Sequence, residues 1–405
     1  MERFALSRMK EWKENENRKP LIIRGARQVG KTWIMKTFGQ QYFEKTAYVN
    51  FDNNARMKQV FEGDLDIERL VLAISAETGV SIEAENTLII FDEIQEVPKA
   101  LTSLKYFHEN APQYAIVAAG SLLGVALHQG TSFPVGKVDF LDLYPLNFRE
   151  FLCAMGEKQF VSMLDSCDTQ MVTVFKTKYI ERLREYYFVG GMPEVVKDFS
   201  EKKDYNRVRA IQKNLINYYQ QDFSKHAEIK LVPRLNLVWN SIPMQLAKEN
   251  KKYIYGQVRE GSRAKDFELA IQWLLDCGLI HKVQRIQKPD LPLKAYIDFD
   301  AFKLFLVDIG LLIAMTDLDA KVIIEGNKIF TEFKGSLTEQ YILQQLISDV
   351  GVIPYYYSTQ NSKGEIDFLV QGKTSVIPIE VKAEENLKAK SLKAFCKKYQ
   401  PSYAV

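Results

Sequence analysis

"GARQVGKT", residues 25–32, constrains this chain more than any other stretch, because its glycine spacing dictates both a backbone shape and a class of ligand. It matches G-x-x-x-x-G-K-[ST] in full, following the apolar run "PLIIR" and opening the helical pattern "TWIMKTF". Strand, glycine loop and helix in that order form a phosphate cradle. Gly25 and Gly30 let the backbone wrap inward, so that the loop of Gly25, Ala26, Arg27, Gln28, Val29 and Gly30 turns its N–H groups toward phosphate. Lys31 supplies a cation for the β- and γ-phosphates, and Thr32 offers its hydroxyl to Mg2+. The helix N-terminus adds partial positive charge. ATP with Mg2+ is the expected cofactor pair.

A partner stretch stands sixty residues on. "TLIIFDEIQ", residues 87–95, reads as a buried strand ending in two acids. Asp92 is placed to hold Mg2+ through its bound water, and Glu93 to polarise the water that attacks the γ-phosphate. The bland alternative makes both acids the polar end of a strand at a sheet rim. Next comes "YAIVAAGS", a further buried strand with Ser121 at its tip. That hydroxyl is either a γ-phosphate contact or the N-cap of "LLGVAL", and one residue can do both. From residue 20 to about 140, such runs alternate with helical patterns, which argues for a parallel sheet with helices packed on it.

At 405 residues the chain suits two or three domains, and 46% hydrophobic with 26% charged residues is the composition of a packed globular protein. The first twenty residues are dense in charge and lack a signal peptide's apolar core, and nowhere do 18 uncharged apolar residues run together. No membrane association is expected. The four cysteines (Cys153, Cys167, Cys277, Cys396) and four histidines are scattered without zinc spacing, so a reducing cytoplasm is the simplest compartment. Net charge is only +3, but residues 201–290 hold 17 Lys and Arg against 10 Asp and Glu. A local basic surplus suits either a phosphate backbone or a solvated helical surface.

Past residue 144 the pattern is helical to about 230, broken by "GGMP" at 190–193. Residues 235–290 read as short helices and a two-stranded wing, with "AKDFELAIQWLLDCGLI" as the strongest amphipathic helix, placing Leu269, Trp273, Leu274 and Gly278 on one side. From about 325 a helix precedes the strands "VIPYYYS", "EIDFLVQ" and "SVIPIEV", a second α/β unit.

"RGARQVGKT", "LIIFDEIQ", "AAGS" and "LYPLNFREF", with "FVGGMPEVV" and "KLFLVDIGLL" further on, resemble the prokaryotic AAA+-type ATPases that carry an uncharacterised C-terminal domain. The likeness covers nearly the whole chain. It implies an α/β fold of three parts: a P-loop parallel-sheet ATPase core over 1–200, a helical and winged-helix region over 201–320, and a C-terminal α/β domain over 321–405. Winged helices serve DNA and protein partners alike, so DNA is a candidate partner and homo-oligomerisation stays open. Where family members carry an arginine before "LYPL", this chain has Lys137, which cannot form arginine's bidentate fork. No arginine finger is assigned.

"GEIDFLVQGKTSVIPIEVKA", residues 364–383, carries charges inside apolar runs, where a buried carboxylate costs several kcal/mol unless paired. A four-residue loop at 372–375 sets Val376 opposite Gln371 and therefore Glu380 opposite Asp367, with Lys382 on the same face. Two acids with Glu339 from the preceding helix could hold Mg2+ or Mn2+, and Lys382 could hold an attacking water. The order Glu339, Asp367, Glu380-x-Lys382 resembles the PD-(D/E)-x-K restriction-endonuclease fold, in which the family's C-terminal domain is commonly placed. Such domains usually continue further, so a shortened version, natural or truncated, is expected here. The reading is an ATPase coupled to a DNA-directed, nuclease-like domain. Its alternative is an ATP-dependent switch or scaffold that binds DNA or protein and cuts nothing.

Overall fold

Short runs of Ile, Leu, Val, Phe and Ala with no polar interruption can be buried on both faces only in a sheet covered on both sides. The computed structural model, which describes residues 1–120, 133–248, 251–325, 331–359, 364–383 and 389–405, places the N-terminal runs in such a sheet. Its strands are β1 (Leu21–Arg24), β2 (Lys45–Asn50), β3 (Thr87–Asp92), β4 (Ala115–Ala119) and β5 (Asp139–Asp142), in the order β2-β3-β4-β1-β5. Every pair is parallel. All residues of β3 and β4 are buried, which is why those runs contain no alternation. Phe51, Phe61 and Phe91 pack edge to face with centroids 5.4–5.7 Å apart and anchor one face. The helix Lys31–Tyr42 buries Ile34, Met35 and Phe38 and starts directly from the glycine loop after β1. The chain is thus a mixed α/β protein with a five-stranded parallel sheet.

Two compact units divide the molecule: Met1–Tyr144 with Asp276–Gly278, and Pro145–Leu275 with Leu279–Val405. Within the second, helices run from Phe148 to Leu275, including the 22-residue helix Tyr205–His226 capped by Asp204. "GGMP" closes one helix at Val189 and opens the next at Pro193. There the buried Asp308 carboxylate accepts from Gly191 N (2.6 Å), Leu311 N (3.1 Å) and Gln344 Nε2 (3.2 Å). A Cβ at Gly190, whose φ is +74°, would sit 2.2 Å from Asp308 Oδ1. "FVGG" and "LVDIGLL" are therefore two sides of one joint.

The helix Ala264–Asp276 forms as expected and buries Trp273 and Leu274, together with Phe267, Ala270 and Ile271, which with Leu274 are spaced i, i+3, i+4, i+7. Leu269 lies off that stripe and is 69% exposed, which corrects its assignment to the core side. The unit's sheet contains β6 (Ile280–Ile286), β7 (Ile297–Leu306), β8 (Tyr355–Ser358), β9 (Glu365–Gln371) and β10 (Val376–Ile379), in the order β10-β9-β8-β6-β7. The expected wing, β6 with β7, is antiparallel, yet it lies in the same sheet as β8–β10 because β6 also pairs with β8. The strands of the expected middle and C-terminal regions thus share one sheet across residue 320. The hairpin register is the anticipated one, with Val376 opposite Gln371 and Ile379 opposite Phe368.

Candidate functional site

β1 and β3 lie one strand apart, with β4 between them, and their C-terminal ends deliver the two phosphate motifs to one edge of the sheet. That edge is where α/β sheets of this kind bind ligands. Gly25 adopts φ +143°, and a Cβ there would meet Leu143 O at 2.1 Å, so the loop can leave β1 only through a glycine. Gly30, at φ +94°, turns the chain into the helix that begins at Lys31. Ala26 and Val29 are buried beneath the loop, while Arg27 and Gln28 are half-buried on it. Arg3, which the motif search missed, fastens the far side by donating to Val29 O (3.0 Å) and Tyr144 O (2.6 Å).

Lys31 is buried and donates from Nζ to Gly25 O (2.9 Å) and Ala26 O (2.8 Å). Burial lowers its pKa to about 8, against an upward pull from Glu93 and Asp92. Thr32 Oγ1 donates to Asp92 Oδ2 at 2.7 Å, across sixty residues of sequence. The hydroxyl of Tyr48, on β2, donates to the same oxygen at 2.9 Å, and Glu93 N donates to Oδ1 at 3.1 Å. Burial, then the charge of Asp92, raises the Tyr48 pKa and keeps the phenol a donor. Tyr48 was invisible to motif spacing, since its only signature is a tyrosine in the alternating strand "KTAYVN". Glu93 has φ +51°, a left-handed conformation that costs a non-glycine residue about 1 kcal/mol or more. Its Oε2 accepts from Gln95 Nε2 at 2.8 Å. Lys137 pairs with Glu109 at 2.9 Å. Ser121 lies outside the described residues.

A hydroxyl and a carboxylate meeting beside a buried ammonium in a glycine cradle are the donor set that a magnesium–nucleotide pair requires. The fold and this loop define an AAA-type P-loop ATPase domain, and residues 17–152 match the family model of an AAA domain. Residues 180–322 and 334–405 match the models of two domains of unknown function, DUF8612 and DUF4143. No curated protein matches the chain. Similar solved structures include the Walker-type ATPase PABY2304 of Pyrococcus abyssi, 15% identical, covering 78% of this chain and 95% of that one, with a TM-score of 0.48. The Orc1 protein of Aeropyrum pernix, solved in complex with DNA, is 14% identical over 77% of this chain and 91% of its own, with a TM-score of 0.28. The RuvB Holliday junction branch migration motor of Thermotoga maritima is 12% identical over 68% and 87%, with a TM-score of 0.29. No helix among the described residues is long and apolar enough to cross a membrane.

The second cluster assembles in the other unit. Glu339 projects from the helix Thr331–Gln345, Asp367 lies on β9, and Glu380 and Lys382 follow the end of β10. Burial, then the charge of Glu339, raises the Asp367 pKa to about 7. β10 stops one residue before Glu380, whose N–H donates to Val405 O (2.8 Å) while Val381 N donates to Asp367 Oδ2 (2.7 Å). Lys382, 44% exposed at its side chain, donates to Glu380 Oε1 at 2.5 Å.

The four residues do come near one another, and two lysines that sequence reading missed pair with acids of the cluster. Lys251 is ion-paired with Glu339 Oε1, and Lys303 lies 3.6 Å from Glu339 Oε2 and 2.5 Å from Glu365 Oε1. Among the described residues no group of three or more His, Cys, Asp or Glu is arranged to hold a metal ion. Of the trio expected to hold Mg2+ or Mn2+, Glu339 is paired with Lys251 and Lys303 and Glu380 with Lys382. Lys303 had a usable signal: a single cation inside the apolar strand "AFKLFL".

Proposed function

We propose that this chain is a Mg2+-dependent ATPase acting as a nucleotide-driven switch, whose remaining regions bind DNA or protein without cutting it. The observation that carries the ATPase reading is the hydrogen bond from Thr32 to Asp92 beside the buried Lys31. Lys31 and the N–H groups of residues 25–30 would hold the phosphates, with Thr32 and Asp92 holding Mg2+. Bound Mg2+ supplies Lewis-acid neutralisation of charge on the transferring phosphate. Glu93, held out of the strand by its left-handed turn and oriented by Gln95, is the base that would position the attacking water. Ser121 is a candidate contact to the γ-phosphate.

DNA is proposed as the partner because the basic surplus is confined to residues 201–290. The non-cutting half of the reading rests on the lysine pairing of Glu339. Its test is to incubate the protein with supercoiled and single-stranded DNA and Mn2+, with and without ATP, beside Glu380→Ala. ATP hydrolysis, with DNA binding that responds to nucleotide and no strand breaks, is the expected result. Cleavage lost in Glu380→Ala would instead establish a nuclease of the PD-(D/E)-x-K type.

A further inference from the structure

A lysine with 1% of its side chain exposed must neutralise something, because an unpaired buried ammonium is expelled or deprotonated. Lys303 sits in the inner part of β7 among Phe302, Leu304 and Phe305, all buried. Its Nζ contacts Glu365 on β9 and Glu339 on the helix Thr331–Gln345, and it lies 4.8 Å from the centre of the Tyr356 ring on β8. One ammonium therefore ties together three strands and a helix. Burial would lower its pKa, but Glu339, Glu365 and Asp367 outweigh burial and raise it, so it stays charged. Lys251 covers the other oxygen of Glu339.

A compact, three-donor cation among carboxylates from separate elements does the electrostatic work that a divalent ion does in an oxygen cage. We propose that the Lys303 ammonium is the resident cation of this cluster, occupying the position a divalent metal would take between Glu339, Glu365 and Asp367. The cluster consequently binds no divalent ion while that lysine is present, since a dication would have to share its carboxylates with a fixed positive charge. Removing the ammonium alone leaves these acids facing a space of cation size, which is a dormant metal site. The idea deepens the non-cutting reading and gives its physical cause.

The test titrates the full chain with Mn2+ in the absence of nucleotide and DNA, by calorimetry. Four forms are compared: wild type, Glu339→Gln, Lys303→Met and Lys303→Met with Glu339→Gln. Wild type should show no binding that Glu339→Gln alters. Lys303→Met, folded by circular dichroism, should bind one Mn2+ at least tenfold more tightly than wild type, and the added Glu339→Gln should abolish that gain. Lys251→Ala, which leaves Lys303 in place, should create no site. One-to-one Mn2+ binding by wild type that Glu339→Gln removes would overturn the proposal, as would a folded Lys303→Met with no gain. Should Lys303→Met not fold, the wild-type comparison decides alone: dependence on Glu339 refutes the proposal and independence supports it. Because no DNA is present, this result and the cleavage assay can fail separately.

Discussion

Lys31 links pH to nucleotide affinity in a way that can be worked out from its surroundings. Its ammonium is enclosed by the glycine loop and bonded to the carbonyls of Gly25 and Ala26, and burial lowers its pKa to about 8. At pH 8 about half of the free molecules then carry a neutral lysine, and at pH 7 about a tenth do. A triphosphate in the loop favours the charged form, so the pKa rises on binding and each neutral lysine must take up a proton. The sign follows: affinity is flat well below pH 8 and falls above it, approaching tenfold per pH unit, or about 1.4 kcal/mol. Phosphate ionisation, with a second pKa near 6, is nearly complete in this window and contributes little. Calorimetric binding of a non-hydrolysable ATP analogue, in buffers of different ionisation enthalpy, counts the protons directly. About half a proton taken up per nucleotide at pH 8 is expected, and Lys31→Arg, charged throughout, should take up none. Uptake below about a tenth of a proton at pH 8, with affinity flat from pH 7 to 9, would show that Lys31 is already charged when free. The burial argument would then be wrong.

Tyr48 and Asp308 yield two further expectations. Tyr48→Phe removes one of two hydroxyl donors to Asp92 Oδ2, so kcat for ATP hydrolysis should fall about tenfold, equivalent to about 1.4 kcal/mol, with KM for ATP changed less than about threefold. Steady-state kinetics across a Mg2+ titration checks this, and an unchanged kcat would remove Tyr48 from the site. Asp308→Ala leaves the N–H groups of Gly191 and Leu311 and the Gln344 amide without their buried acceptor, which should cost about 2–5 kcal/mol. Denaturant unfolding measures that loss, and a loss below about 1 kcal/mol would contradict the joint described for "FVGG" and "LVDIGLL".

What could be read before the structure was whatever the chain encodes locally. The glycine loop, its strand and its helix are twenty-two consecutive residues whose conformation depends on Gly25 and Gly30, and β3 and β4 announce their burial by carrying no polar interruption. The hairpin register of β9 and β10 was equally local, set by a four-residue loop. Partnership across the chain was not legible. β6 and β7 read correctly as strands, but nothing in "IHKVQRI" tells that β6 also lies beside β8, some seventy residues later. Leu269 was placed by helical spacing one phase off, and the packed helix turns Phe267 inward instead. The second cluster teaches the sharper lesson. A lone charge in an apolar strand states that a partner exists without saying which one, and that reasoning drew attention to Asp367 and Glu380 while passing over Lys303 in "AFKLFL". Applied evenly, the same rule would have flagged the lysine and the acids together. A search for the protein's own cations therefore belongs before any inference of a metal, because an ammonium and a divalent ion solve the same electrostatic problem and leave the same acidic pattern in the sequence.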